Sequence, residues 1–311
     1  MIFDGFIFFN EIELLELRLK IMWEHVDRFI IVEAGKTFTN QDKELYFEIN
    51  KKRFEKYMDK IEYVVIDEFP DDCKNAWDCE YYQRNSIYKG IKNADPDDIL
   101  IVSDLDEIIS PYGLKRIKKI LSLKPDVLLR VEHLTAWYYL NYVDQKTFFW
   151  SGSTAYTISE AEKYHREYFG EYPLDEKGRI SPQTARSWRN CITVPCAGWH
   201  FSYIGGIESI KKKIRSFSHQ EFNTEEWLDD ERIMDMIKSG KDLFDRGLED
   251  FVSIPIDRFM PDEVKNNYER YKDLICDIRP ISPKTYMKLR IKYFFETTFL
   301  RSLFHAFKKL R

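Results

Sequence analysis

Short apolar runs punctuate the N-terminal third of the chain at helix-length intervals. Residues 3–9 form one such run, ended by Asn10 and Glu11. Ile12, Leu14, Leu15, Leu17, Leu19, Ile21 and Met22 then carry a helical pattern, with Asn10 as the expected cap. Residues 28–33, 61–66 and 98–103 repeat the strand signal with β-branched residues. Strands separated by helices predict an α/β fold around a mostly parallel central sheet flanked by helices. The stretch 77–92 has no Pro and no Gly before Gly90 and reads as a helix packed on that sheet.

The pattern changes further on. Residues 127–131, 137–142 and 148–158 read as strands, 170–189 as a polar loop, and another strand ends at Trp199, His200 and Phe201. An antiparallel or mixed extension of the first sheet is the plain expectation. Gly205 and Gly206 lead into a helix over about 207–217, and an acidic helix follows over about 224–239. Residues 1–283 form one expected domain. In 284–311, Lys284, Lys288, Arg290, Lys292, Arg301, Lys308, Lys309 and Arg311 face a single acid, Glu296. Leu289, Tyr293, Leu300, Leu303, Phe307 and Leu310 recur at spacings of three, four or seven, which makes a basic amphipathic helix. Such a helix suits an anionic membrane surface, and it equally suits docking on the domain with its lysines in water.

Composition narrows the function. With 48 Lys and Arg against 53 Asp and Glu, the net charge of -5 supplies no field for nucleic acid, so none is expected as a partner. Only 12 of 311 residues are Gly, and neither G-x-G-x-x-G nor G-x-x-x-x-G-K-[ST] occurs. Five cysteines without a C-x-x-C pair argue for reduced thiols rather than a disulfide frame or a zinc cluster. No cationic and apolar leader and no apolar run of about 20 residues is present. A cytoplasmic protein, peripheral at the inner membrane face if the basic helix binds lipid, is the expectation.

The chemistry concentrates at Ser103-Asp104-Leu105-Asp106-Glu107, where a buried strand ends. Ligands bind at the carboxyl edge of open α/β sheets. Clustered carboxylates need a cation, and Asp-x-Asp there can offer oxygens to Mg²⁺ or Mn²⁺ carrying a diphosphate; a solvated acidic turn is the alternative. Arg84 and Asn85 lie on the preceding helix, where they can hold a nucleotide, or Arg84 simply pairs with Glu80. His200 can complete a metal shell or serve structure alone. Gly206 and Lys213 can gather a phosphate at a helix start, or mark a turn into a solvated basic helix. Trp137, Tyr138, Tyr139, Tyr142, Phe148, Phe149 and Trp150 offer faces for sugar rings and are equally good core.

In order, residues 4–11, 13–19, 29–33, 83–85, 103–107 and 198–202 resemble glycosyltransferase family 17, the family of β-1,4-mannosyl-glycoprotein N-acetylglucosaminyltransferases. The resemblance, over about residues 3–275, implies a GT-A-like nucleotide-sugar-binding fold, a UDP-GlcNAc donor, Mn²⁺ or Mg²⁺, and inversion at the anomeric carbon. It puts Asp104, Asp106 and His200 on the metal, with Asp104 also on the diphosphate, and Glu33, Arg84 and Asn85 on the nucleotide. Residues 34–40 depart from the family's Thr-His-Ser-Gly-like stretch. The N-terminal membrane segment of eukaryotic members is absent here, which implies a different acceptor, such as a lipid-linked glycan. For the general base, Asp230 is the candidate, sharing a helical face with Glu226 beside Trp227. A metal-dependent phosphodiesterase or nucleotidyltransferase, or a non-catalytic glycan-binding membrane adaptor, are the rival readings.

Overall fold

The computed structural model describes residues 1–161, 182–187, 191–247 and 249–298. Ten strands join one sheet: β1 (Ile2–Phe8), β2 (Arg28–Ala34), β3 (Ile61–Ile66), β4 (Ile99–Asp104), β5 (Glu107–Ile109), β6 (Leu129–Trp137), β7 (Tyr142–Asp144), β8 (Phe149–Thr157), β9 (Ile192–Ser202) and β10 (Phe251–Ser253). Their order is β10-β7-β6-β8-β4-β1-β2-β3, with β9 beside β6 and β5. The helices used below are α1 (Ile12–Met22), α2 (Ala76–Asn85), α3 (Pro111–Leu123), α4 (Pro182–Ser187), α5 (Gly206–Ser216), α6 (Asp230–Ser239) and α7 (Pro283–Thr297).

The α/β expectation holds, but the sheet is not mostly parallel. Five of the nine strand pairings among the described residues are antiparallel. Parallel neighbours need long crossovers. The N-terminal third supplies them, and β3, β2, β1 and β4 run parallel. Beyond α3 the links from β6 to β7 and from β7 to β8 are short, and β8 enters antiparallel between β4 and β6. Residues 137–142 are not one strand: β6 ends at Trp137, and Tyr138, at φ +68°, turns the chain toward β7.

Burial on both faces explains why the central strands read as unbroken apolar runs. Phe29, Ile31 and Ile101 pack with α1 and α3 residues such as Leu15 and Ile117. Ile30, Val32, Leu100 and Val102 pack on the other face against Ile87 and Tyr88. Gly5 is part of that fit, since a Cβ there would lie 2.4 Å from Ile87 Cγ2. A third cluster joins Trp137, Tyr142 and Phe251 to Ile210, Ile214, Ile233 and Ile237 of α5 and α6.

Helix starts follow local chemistry, with shifts. The α1 cap is Glu11 rather than Asn10, and its side chain caps nothing. The expected helix over 77–92 is α2, capped by Asn75, followed by a tight turn of 3₁₀ helix over Ser86–Gly90. Near Pro111 the cap is Ser110, whose Oγ accepts from the Gly113 N–H. The acidic helix begins only at Asp230, after an Asp229 cap. None of the five cysteines forms a disulfide.

Helix α7 packs against β9. Leu289 is fully buried, and Tyr286 and Tyr293 meet the edge of the Phe259 ring at 5.7 and 5.3 Å. Leu289 and Tyr293 of the expected stripe thus dock on the domain. Leu300, Arg301, Leu303, Phe307, Lys308, Lys309, Leu310 and Arg311 lie outside the described residues, as does most of the expected loop over 170–189. No described helix is long and apolar enough to cross a membrane.

Candidate active site

The acidic turn is held from beneath by a buried arginine. Arg18 of α1 is fully buried and forks onto Asp4 of β1, with Nη2 and Nε donating to the carboxylate at 2.6 and 2.8 Å. Its Nη1 donates to the carbonyl oxygens of Asp104, Leu105 and Glu107 at 3.0, 3.1 and 2.8 Å. Its planar fork suits this dense set of acceptors, which a lysine could not match. The strand-end turn therefore has a rigid floor, and its side chains project from that floor.

Three carboxylates meet three cations there. Arg84 Nη2 reaches Asp104 Oδ1 at 2.8 Å, and Arg186 Nη2 reaches Asp104 Oδ2 at 2.6 Å. Arg186 also grips Glu107, Nη1 to Oε2 at 2.7 Å and Nη2 to Oε1 at 2.6 Å. Lys213 Nζ donates to Asp106 Oδ2 at 2.9 Å and lies 3.9 Å from Glu11. Burial alone would raise the Asp104 and Glu107 carboxyls, but the guanidinium charges outweigh it and hold both below the ordinary range. Burial likewise opposes the charged Lys213, and Asp106 and Glu11 override it, so its ammonium titrates above its usual value. Behind Glu107, Ser153 Oγ donates to Oε2 at 2.9 Å and sits 2.9 Å from His133 Nε2. Burial pushes the His133 imidazole down to about 3.

This floor opens into a cavity of about 360 Å³. Asp104, Asp106, Arg84, Lys213 and His200 line its polar part, and the Trp150 ring stacks on His200 at 4.8 Å. Trp77, Phe217, His219, Phe222 and Phe244 line another part. The Trp77 ring meets His219 edge-on at 4.6 Å, Phe222 stacks on Phe244 at 4.1 Å, and the Arg246 guanidinium lies 5.4 Å from the Phe244 ring centre. Flat faces beside anchored charges suit a sugar nucleotide or a glycan.

A divalent cation fits part of the expected donor set. Both Asp104 oxygens already carry guanidinium partners. Asp106 Oδ1 and His200 Nε2 lie 3.7 Å apart on the cavity wall. One carboxylate and one imidazole, completed by phosphate oxygens and water, is a donor set Mg²⁺ or Mn²⁺ accepts. Among the described residues no three His, Cys, Asp or Glu side chains group to hold a metal without such help.

The family model described as glycosyltransferase family 17 matches residues 1–181, more than half of the chain. The chain belongs to glycosyltransferase family 17. Among curated relatives, the β-1,4-mannosyl-glycoprotein 4-β-N-acetylglucosaminyltransferases of Homo sapiens and Rattus norvegicus are each 28% identical over 116 residues, which is 35% of this chain. The matched part spans 22% of those proteins' length. Among solved structures, S. aureus TarS superposes over 72% of this chain and 66% of that one, at 13% identity and a TM-score of 0.38, too loosely to support any argument.

In this family member the fold brings Arg84, Asp104, Asp106, His200 and Lys213 to one cavity. Glu33, Asn85, Gly206 and Asp230 do not line it. Glu33 is fully buried and spent on the fold, accepting from the Tyr46 and Phe47 N–H groups at 2.6 and 3.0 Å, Tyr63 OH at 2.8 Å and Lys43 Nζ at 3.0 Å. Asn85 Oδ1 accepts from the Gln183 N–H at 3.0 Å, which seats α4. Gly206, at φ +82°, serves the turn into α5. Asp230 pairs with Lys211 and is 60% exposed in its side chain. Arg18, Arg186 and the wall of Trp77, Phe217, Phe222 and Phe244 escaped sequence reasoning. An Arg within the apolar stripe of α1 was a legible sign of a buried ion pair. Arg186, in a polar stretch, carried no sign.

Proposed function

We propose that the protein is an inverting glycosyltransferase that moves N-acetylglucosamine from UDP-GlcNAc to a hydroxyl of a glycan or lipid-linked glycan. The observation that carries this reading is the floor at the end of β4, where Asp106, His200, Lys213 and Arg84 share one cavity with an aromatic wall. Asp106 and His200 would hold Mn²⁺ or Mg²⁺, which when bound supplies positive charge to a departing diphosphate. Lys213 and Arg84 add their own fixed charge at the same place, already oriented by Asp106 and Asp104. Fixed charge of this kind stabilises a leaving UDP without reorganising at the moment of reaction.

The acceptor hydroxyl needs a base. Besides Asp104 and Asp106, the carboxylates lining the cavity are Glu11 and Glu80. Glu80 pairs with Arg84 at 2.8 Å and accepts from Ser218 Oγ, which joins it to the charged floor on one side and to the segment carrying His219 on the other. We therefore prefer these two glutamates to Asp230 as the base. Titration calorimetry of UDP-GlcNAc with and without Mn²⁺ tests the donor: metal-dependent binding that Asp106→Asn abolishes is expected. Binding indifferent to both would remove the reading, and release of nucleotide or phosphate without transfer to a sugar would replace it with a hydrolase or nucleotidyltransferase.

A further inference from the structure

Helix α7 carries two apolar faces, and the fold uses one. Tyr286, Leu289 and Tyr293, spaced three and four apart, turn toward the domain. Met287, Ile291, Phe294 and Phe295 recur at the same spacing on the other side and are 49%, 49%, 51% and 53% exposed. Lone apolar side chains on a surface are ordinary, but four on one stripe mark a contact surface. Lys284, Lys288 and Arg290 are exposed beside them, and the only acid in the helix is Glu296.

We infer that this outer face of α7 seats the protein on an anionic lipid surface. Phenylalanine, isoleucine and methionine side chains enter the boundary between headgroups and acyl chains, while flanking cations meet lipid phosphates. Charge complementarity selects this occupant. In a two-fold dimer the same patch faces itself, so the cations of one copy would confront those of the other. The sequence beyond the described residues adds Arg301, Lys308, Lys309 and Arg311 and no acid, which extends the same sign of charge. The inference stands on the helix alone, so it survives or falls independently of the proposed reaction.

Cosedimentation of the full chain with vesicles tests it, using phosphatidylcholine alone and phosphatidylcholine mixed with phosphatidylglycerol. The parent is expected to bind the mixed vesicles, less as salt is added. Phe294→Ser with Phe295→Ser should weaken that binding at least about tenfold through lost apolar insertion. Lys284→Gln with Lys288→Gln should weaken it about tenfold or more through lost charge. Both variants should keep the parent melting temperature, because all four side chains are exposed. Absence of binding to the mixed vesicles, or equal binding by the phenylalanine variant, overturns the inference. A dimer seen by light scattering that the phenylalanine variant dissolves would also overturn it and assign the face to a second copy.

Discussion

Replacing Arg18 by Met should destabilise the protein more than any exposed substitution. Asp4 is fully buried and has Arg18 as its ion-pair partner. Stripping one member from a buried pair costs about 3–5 kcal/mol. The carbonyls of Asp104, Leu105 and Glu107 lose their shared donor as well, adding ~1 kcal/mol or more. At an unfolding entropy of about 2.1 cal/mol/K per residue, a chain of 311 residues loses about 1.5 °C in Tm per kcal/mol. A loss of about 4–6 kcal/mol then lowers Tm by about 6–9 °C. Thermal melts of Arg18→Met, Asp4→Leu and the double variant form the assay. The double variant should lose less than the two single losses added together, with a coupling of at least about 2 kcal/mol, because it leaves no buried charge unpaired. An Arg18→Met protein melting within about 2 °C of the parent would refute the reasoning, as would strict additivity.

Three further outcomes are expected. His133 titrates near 3 in the folded protein against 6.5 for the free side chain, so the unfolded chain binds the extra proton between those values. Its contribution is intact above pH 6.5 and declines as pH falls toward about 3, and Tm measured against pH should show a shallower acid limb in His133→Gln. Asp230→Ala should keep kcat within about twofold, whereas Glu80→Gln or Glu11→Gln, whichever is the base, should lose about 10²–10⁴ in kcat; a steady-state assay with UDP-GlcNAc returning the opposite ranking would restore Asp230. Arg186→Gln leaves Glu107 buried without its guanidinium, so a stability loss of about 3–5 kcal/mol is expected in urea titrations, and an unchanged midpoint would show that the pair is not formed.

Local pattern was enough for the first half of the architecture. Apolar runs at β1 to β4, separated by helical periodicity, specify strands buried on both faces, because each residue's neighbours in sequence already determine its face and period. The acidic turn was legible for the same reason, since three carboxylates within four residues at a strand end are a local fact. Arg84, Lys213 and His200 were legible by type, and the fold delivered them to that turn. The antiparallel or mixed extension expected beyond β4 is also what forms, but the order in which those strands pair was not encoded locally, because antiparallel and parallel strands share one side-chain period and differ in how the chain returns.

Tertiary structure alone decided the charge partners. Arg186 reaches Asp104 and Glu107 across roughly eighty positions of sequence, and Arg18 reaches the same turn from α1. No spacing rule announces pairings of that span. Burial also reassigned residues that looked functional: Glu33 had the right type at a strand end, yet four internal donors claim it. On α7 the sequence carries two apolar stripes, and only the packing of Leu289 against the domain shows which one is left facing outward. Periodicity says which side chains share a face, and the rest of the chain determines what that face meets.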